Sequence, residues 1–440
     1  MPALSISTVA AKRGIAARMG SASYSYYYVY EAFAPLLERW ASVILSRADG
    51  EGSPADVRTG FLAVDAARND TDVHLGFVPL DTFQRMPGVP NVAFPFWDFP
   101  DVLDEWARTA GTLDLLLTSS EFTRDAFVRA GVRTPIRIVR VPARPAWLAL
   151  PPWQPAQRVV VDCPCYVVPS APARPAPLFS RAKAFYQRHV RPRLSARSTD
   201  TLRAAAYAWR DSAAADCPAT AQLELSGIVY TTVFNPFDQR KNWPDLVSAF
   251  LFALRDRDDA TLVVKLAVPP DRAAAGLNQV LAFHRQLGLA HRCKLVLVSA
   301  YLSDAQMLEL ARGTTYYLNA SRCEGACLPL QDFLAAARPA IAPRHTAIAD
   351  YFDDACGFVA ESHPEPASWP QDPARGYATT WHRLVWPSLR DRIGESYDAA
   401  RQPRYETLAA AARARMIAMA GSEVVWTQLS AALDSIAIDE

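Results

Sequence analysis

In the second half of the chain, short β-branched runs alternate with stretches whose apolar residues recur at helical spacing. Residues 228–233 read as a buried strand. Asn242 follows as a helix cap with Pro244 in the first turn, and Trp243, Leu246, Val247, Phe250, Leu251 and Leu254 then repeat on one helical face. Strands are predicted at 261–266 and 295–298, and Ser303 with Gln306 forms a capping box that opens a helix running through 310. A strand at 315–318, a helix over 328–337 and a short strand at 339–342 complete the series. Strands and helices in strict alternation predict a parallel, doubly wound sheet.

The first half is less regular but similar in kind. Helices are predicted over 29–45 and 101–110, strands at 73–78, 92–94, 113–118 and 136–141, and a further helix opened by Ser120 and Thr123. Prolines crowd between 142 and 177, a stretch that predicts neither a ladder nor a helix but an irregular connection. A basic, amphipathic segment follows at 178–203. The predicted organisation is therefore a Rossmann-like domain over 1–150, a connector over 151–222, a second Rossmann-like domain over 223–400, and C-terminal helices over 401–440 that pack back toward the first domain. Two such α/β domains place a binding cleft between them, at the carboxyl ends of the strands.

Composition narrows the chemistry. A chain of 440 residues suits two domains, and a formal net charge of +1 argues against bulk nucleic-acid binding. The seven cysteines are scattered without zinc-site spacing, which fits free thiols in a reducing compartment. Lys12 and Arg13 interrupt the apolar run at 4–11, and no stretch reaches the roughly 18 to 20 apolar residues of a membrane span. The expected location is the cytoplasm, with the basic segment 178–203 as an optional contact to anionic lipid.

The segment 316–332 concentrates the candidate chemistry. A strand ends near Asn319, a loop carries Glu324 and Gly325, and a helix starts close to Pro329. Gly325 permits close backbone approach, and the helix N-terminus offers unpaired N–H groups suited to a diphosphate. Cys323 and Cys327 flank Glu324 without a base partner and read as packing residues, and His345 as a loop histidine near the cleft. The tyrosines between 24 and 28 read as core, with Gly20 and Ser21 before them able to line the acceptor side.

Ser321, Glu324, Gly325, Leu328, Pro329 and Asp332, followed by Arg338-Pro339, resemble the hallmark of the retaining GT-B glycosyltransferases, a family that includes sucrose synthase and bacterial polysaccharide and lipopolysaccharide glycosyltransferases. The resemblance is good over about 227–359 and loose over the first half. It implies two Rossmann-like domains facing across a cleft, with parallel sheets. It also implies a hexosyl or deoxyhexosyl transfer from a GDP- or UDP-linked sugar to a glycan or lipid-linked acceptor, without a metal or other cofactor.

By the same resemblance Glu324 binds hydroxyls of the donor sugar and Asp332 the ribose. Lys241, assisted by Arg240, neutralises the diphosphate, and Asn235, Ser321, Gly325, Ala326 and Leu328 complete the donor site. Trp97 and Asp98 stand in the loop that contacts sugar and acceptor, which makes Glu324, Lys241 and Asp98 the candidate catalytic residues. Three positions depart from the family pattern: Asp332 is an aspartate in place of glutamate, Asn235 replaces an arginine, and Trp97-Asp98 replaces a histidine. A nucleotide-sugar epimerase, a phosphorylase of the same fold, or a non-catalytic glycan- or nucleotide-binding relative are the alternatives.

Overall fold

The computed structural model describes residues 3–8, 25–45, 72–169, 219–369 and 376–437. The first sheet contains β1 (Ala3–Thr8), β2 (Ser42–Leu45), β3 (Val73–Phe77), β4 (Asn91–Ala93), β5 (Leu115–Thr118) and β6 (Ile136–Ile138), in the order β2-β1-β3-β4-β5-β6. Every pairing in it is parallel. The central strands β3, β4 and β5 are buried along their whole length, as parallel strands covered by helices must be. Helix α1 (Ser25–Trp40) covers one face through Val29, Phe33 and Leu37, which meet Leu75, Phe77 and Phe94 in one cluster. The helix expected over 29–45 ends earlier, and Ser42–Leu45 is instead the edge strand β2. Its Val43-Ile44 pair is β-branched and suits a strand better than a helix end.

Helices α2 (Asp104–Ala110) and α3 (Glu121–Arg129) follow β4 and β5. The Ser120 hydroxyl caps α3 by accepting from the Thr123 N–H at 3.1 Å, so this start signal acts as its chemistry suggests. A short helix α4 (Pro145–Leu148) then carries the chain toward the second domain.

The second sheet contains β7 (Val159–Val168), β8 (Ala219–Leu225), β9 (Ile228–Phe234), β10 (Ala260–Leu266), β11 (Lys294–Val298), β12 (Tyr316–Leu318), β13 (Ala340–Pro343) and β14 (Gly357–Ala360). Its order is β14-β13-β12-β9-β10-β11-β7-β8. The pairs from β14 to β11 are parallel, whereas β7 and β8 join antiparallel at the edge. The proline-rich connector over 151–222 therefore does hold a ladder, contrary to the expectation of an irregular stretch. Val159, Val161, Cys163 and Cys165 alternate inward, and Pro164 is tolerated because the register shifts between Asp162 and Cys165.

Helices α5 (Trp243–Leu254), α6 (Pro270–Leu287), α7 (Asp304–Gly313), α8 (Leu328–Ala335) and α9 (Trp386–Ala399) accompany this sheet. The Ser303–Gln306 capping box opens α7. Asn242 precedes α5, but it lies at φ 45° with its side-chain amide donating to Asp245, so it does not cap the helix. Helix α10 (Pro403–Ala420) packs Ala412 and Met416 against Leu330 and Phe333 of α8. Helix α11 (Ser422–Ala437) returns to the first domain, where Val425, Leu429 and Leu433 enter its core. Between β14 and α9 a two-stranded antiparallel hairpin, β15 (Ser362–Ser368) and β16 (Ala378–Leu384), stands apart from both sheets. Among the described residues no helix is long and apolar enough to cross a membrane. Gly20, Ser21 and the basic segment 178–203 lie outside the described residues.

Candidate active site in the interdomain cleft

The loop after β12 is shaped by its own side chains. The Asn319 carboxamide accepts from the Ser321 N–H at 2.9 Å and donates to the Ser321 hydroxyl at 3.3 Å. Ser321 is 2 % exposed and so forms the loop from within rather than facing a ligand. The loop is held from outside by Thr346, whose hydroxyl accepts from the Glu324 N–H at 3.0 Å, and by His345, whose Nε2–H donates to the Ser321 carbonyl at 3.0 Å. Burial, then the stacked His382 ring, pushes the His345 imidazole down to about 3, so it is neutral at ordinary pH.

Glu324 is 4 % exposed and meets the Lys241 ammonium at 2.5 Å. Lys241 ends a short 3₁₀ turn (Gln239–Lys241) after β9, capped by Asp238, which accepts from the Arg240 N–H at 3.0 Å. Burial opposes the Lys241 charge, but the Glu324 carboxylate outweighs it and holds the ammonium above the usual lysine range. The Arg240 guanidinium bridges Asp238, at 2.7 Å, and Asp98 of the first domain. Burial pushes the Asp98 carboxyl above the ordinary range despite Arg240 beside it, with Glu324 adding to the rise. Asp98 also accepts from the Gly325 N–H at 2.8 Å, and the Gly325 carbonyl accepts from the Ser119 hydroxyl at 3.3 Å. These contacts join the two domains around one cluster of charges.

The cleft has a volume of about 470 Å³. Asp98, Arg240, Lys241, Glu324, Ala326, Leu328 and Trp97, all named from the sequence, line it together, and so does Cys327, which the sequence reading takes as a packing residue. Gly325 meets the site through its N–H to Asp98 rather than by lining the cleft, and three other predicted residues stand elsewhere. Asn235 uses its side-chain oxygen to accept from the Phe237 N–H at 3.0 Å, which makes it a turn residue. Ser321 is interior, as described. Asp332 pairs with Arg144 of the first domain at 2.7 Å; burial raises its carboxyl above the ordinary range, with Arg144 opposing.

Cys323 and Cys327 are buried, and burial raises both thiols well above their usual range, which suits packing and not nucleophilic attack. Among the described residues no group of three or more His, Cys, Asp or Glu side chains could hold a metal ion.

Four described non-glycine residues take left-handed backbone: Asn242, Cys327, Thr346 and Ala337. The first three adjoin Lys241, line the cleft, and bond Glu324, respectively. Such conformations persist only where surrounding contacts enforce them, and they concentrate at functional sites. The sequence reading missed Arg144 and the aromatic residue Trp369, which lines the cleft from the far end of a hairpin it did not foresee. Arg144 had no local signal, since its partner lies 188 residues away.

No protein-family model and no curated protein matches the sequence. Solved structures do resemble this one. A glycosyltransferase from Rickettsia africae is 10% identical and superposes with a TM-score of 0.55 over 100% of this chain and 99% of the other. Sucrose-phosphate synthase from Thermosynechococcus elongatus is 13% identical, with a TM-score of 0.57 over 99% and 98%. Anabaena HepE, in complex with UDP and glucose, is 13% identical, with a TM-score of 0.53 over 99% and 100%. At such identities the likeness is one of architecture, and it is specific: the chain has the GT-B fold, two Rossmann-like α/β domains facing across a cleft.

Proposed function

We propose that this chain is a retaining glycosyltransferase that moves a hexose or deoxyhexose from a nucleotide sugar to a glycan or lipid-linked acceptor in surface polysaccharide synthesis. The observation that carries the reading is the Lys241–Glu324 pair at the mouth of α8, inside a cleft closed on the other side by Asp98. A diphosphate entering beside α8 gains the Lys241 ammonium and the helix N–H groups. Lys241 then exchanges its carboxylate partner for phosphate, which frees Glu324 to accept hydroxyls of the donor sugar. As the bond to the anomeric carbon breaks, negative charge grows on the departing phosphate oxygen, where these donors stabilise it. That oxygen takes the proton of the acceptor hydroxyl on the same face, so the new bond forms with retained configuration and no protein nucleophile is required. Complexes of Anabaena HepE with UDP support a uridine nucleotide as the first donor to try.

A thermal-shift panel of UDP, GDP, dTDP and their sugar conjugates tests this reading, followed by NMR of the anomeric proton during turnover. The expected result is stabilisation by one nucleotide and an axial-to-axial or equatorial-to-equatorial outcome. No stabilisation by any nucleotide would sink it.

A further inference from the structure

The hairpin β15–β16 leaves the second domain and reaches the first. At its base the Arg322 guanidinium lies 4.6 Å from the Trp381 ring centroid and bonds Glu365 at 3.1 Å, and His382 stacks on His345 at 4.1 Å. Farther out, the Thr379 hydroxyl donates to Asp101 of the first domain at 2.9 Å. The Trp369 N–H donates to the Tyr377 carbonyl at 3.1 Å, so odd-numbered residues of β15 face their partner strand. Pro364 and Pro366 therefore turn their N–H-less nitrogens outward, and the ladder loses nothing.

Trp369 is the point of this arrangement. Its ring lies 6.0 Å from that of Trp97, which in turn is 4.8 Å from Trp106, and it shares a hydrophobic cluster with Phe99. Trp97 is 3 % exposed and serves as floor, whereas Trp369 is half-buried and lines the same cleft as Lys241 and Glu324.

We propose that Trp369 is a specificity-determining wall of the acceptor subsite, stacking on the apolar face of a hexopyranose ring. The inference rests on the glycosyltransferase reading for the word acceptor, but not for the stacking itself. A sugar ring presents C–H groups on its faces and hydroxyls around its rim. The cleft offers both complements: aromatic surface from Trp369, and carboxylates from Asp81 and Asp98 that accept from hydroxyls. A lipid chain would leave those carboxylates facing hydrocarbon, which costs free energy. The ring contacts of Trp369 are with the first domain, so the sugar it holds is the one that domain presents.

Saturation-transfer NMR on the full chain, with methyl hexopyranosides as probes, tests this. The wild-type chain is expected to transfer saturation to the axial ring protons of at least one probe. Trp369→Ala should weaken that binding about tenfold, and Trp369→Phe should restore most of it. Thermal shifts by UDP and GDP, run on the same variants, should match wild type. Equal binding by wild type and Trp369→Ala would overturn the assignment, as would no binding of any probe. Loss in both the Ala and Phe variants with an unchanged melting curve would overturn stacking as its basis. If the probes bind through Trp369 while no nucleotide stabilises the chain, the subsite stands and the transferase reading falls.

Discussion

The Gly325 N–H donates to Asp98 at 2.8 Å across 227 residues of sequence and from one domain to the other. At the same place an added Cβ on Gly325 would stand 2.6 Å from the Trp97 carbonyl oxygen. The glycine is therefore required by the approach of the opposite domain, and not by its own backbone angles.

Gly325→Ala tests that requirement. Backbone atoms of Trp97 must shift to admit a methyl group, at a cost of about 1–3 kcal/mol. Urea unfolding should show the loss, and any nucleotide-induced thermal shift should shrink with it. An unchanged urea midpoint would mean that the domains do not meet as described.

The Lys241–Glu324 pair invites a double-mutant cycle. Lys241→Met leaves a nearly buried carboxylate without its cation, and the cost should be about 2–4 kcal/mol. Glu324→Gln with Lys241→Met should recover part of that stability, while turnover stays about a hundredfold or more below wild type. Additive effects on stability would show that the two groups do not interact.

Asp332 has a different expected signature. If its carboxylate exchanges Arg144 for a ribose, Asp332→Asn should weaken UDP or GDP binding about tenfold or more, and inorganic pyrophosphate hardly at all. Isothermal titration compares the two ligands directly. Equal losses would remove the ribose role and leave Asp332 as an interdomain ion-pair partner.

Ala337 offers a gain of stability. It follows α8 at φ 55°, with its own N–H donating to the Leu334 carbonyl at 3.0 Å and the Arg338 N–H donating to Phe333 at 2.9 Å. That is a Schellman ending, where glycine avoids the left-handed penalty. Ala337→Gly should raise stability by about 1 kcal/mol, read as a higher urea midpoint. A lower midpoint would show that the lost methyl packing outweighs relieved strain.

Buried His345 makes acid stability predictable. Its folded-state value of about 3 lies below the usual 6.5, so the unfolded chain binds the proton more readily. Its contribution is complete above pH 6.5 and is lost as pH falls toward 3. His345→Gln should flatten the decline of the urea midpoint across that window. An identical decline would assign the acid sensitivity to other groups.

Much of the fold is legible in local sequence. The β-branched runs of β9 and β10, the Ser303–Gln306 box and the Ser120 cap report structure within a few residues, because backbone preference and capping are short-range effects. The connector misled because proline density hides a ladder in which Pro164 sits at an irregularity. The hairpin was hidden for a related reason: Pro364 and Pro366 look like breakers until their common outward side is known.

By itself, the sequence determined two α/β domains and a loop in which Glu324 and Gly325 precede a helix, since strand, helix and turn signals are carried by neighbouring residues. Gly325 is marked there as a close-approach position, but what approaches it is not. Only the tertiary structure decided that Asp98 takes its N–H, that Arg240 reaches Asp98 and Lys241 reaches Glu324, and that Trp369 joins the cleft. Those relations join residues that lie far apart in the chain, and they arise from how the domains and the hairpin dock, which no local pattern encodes.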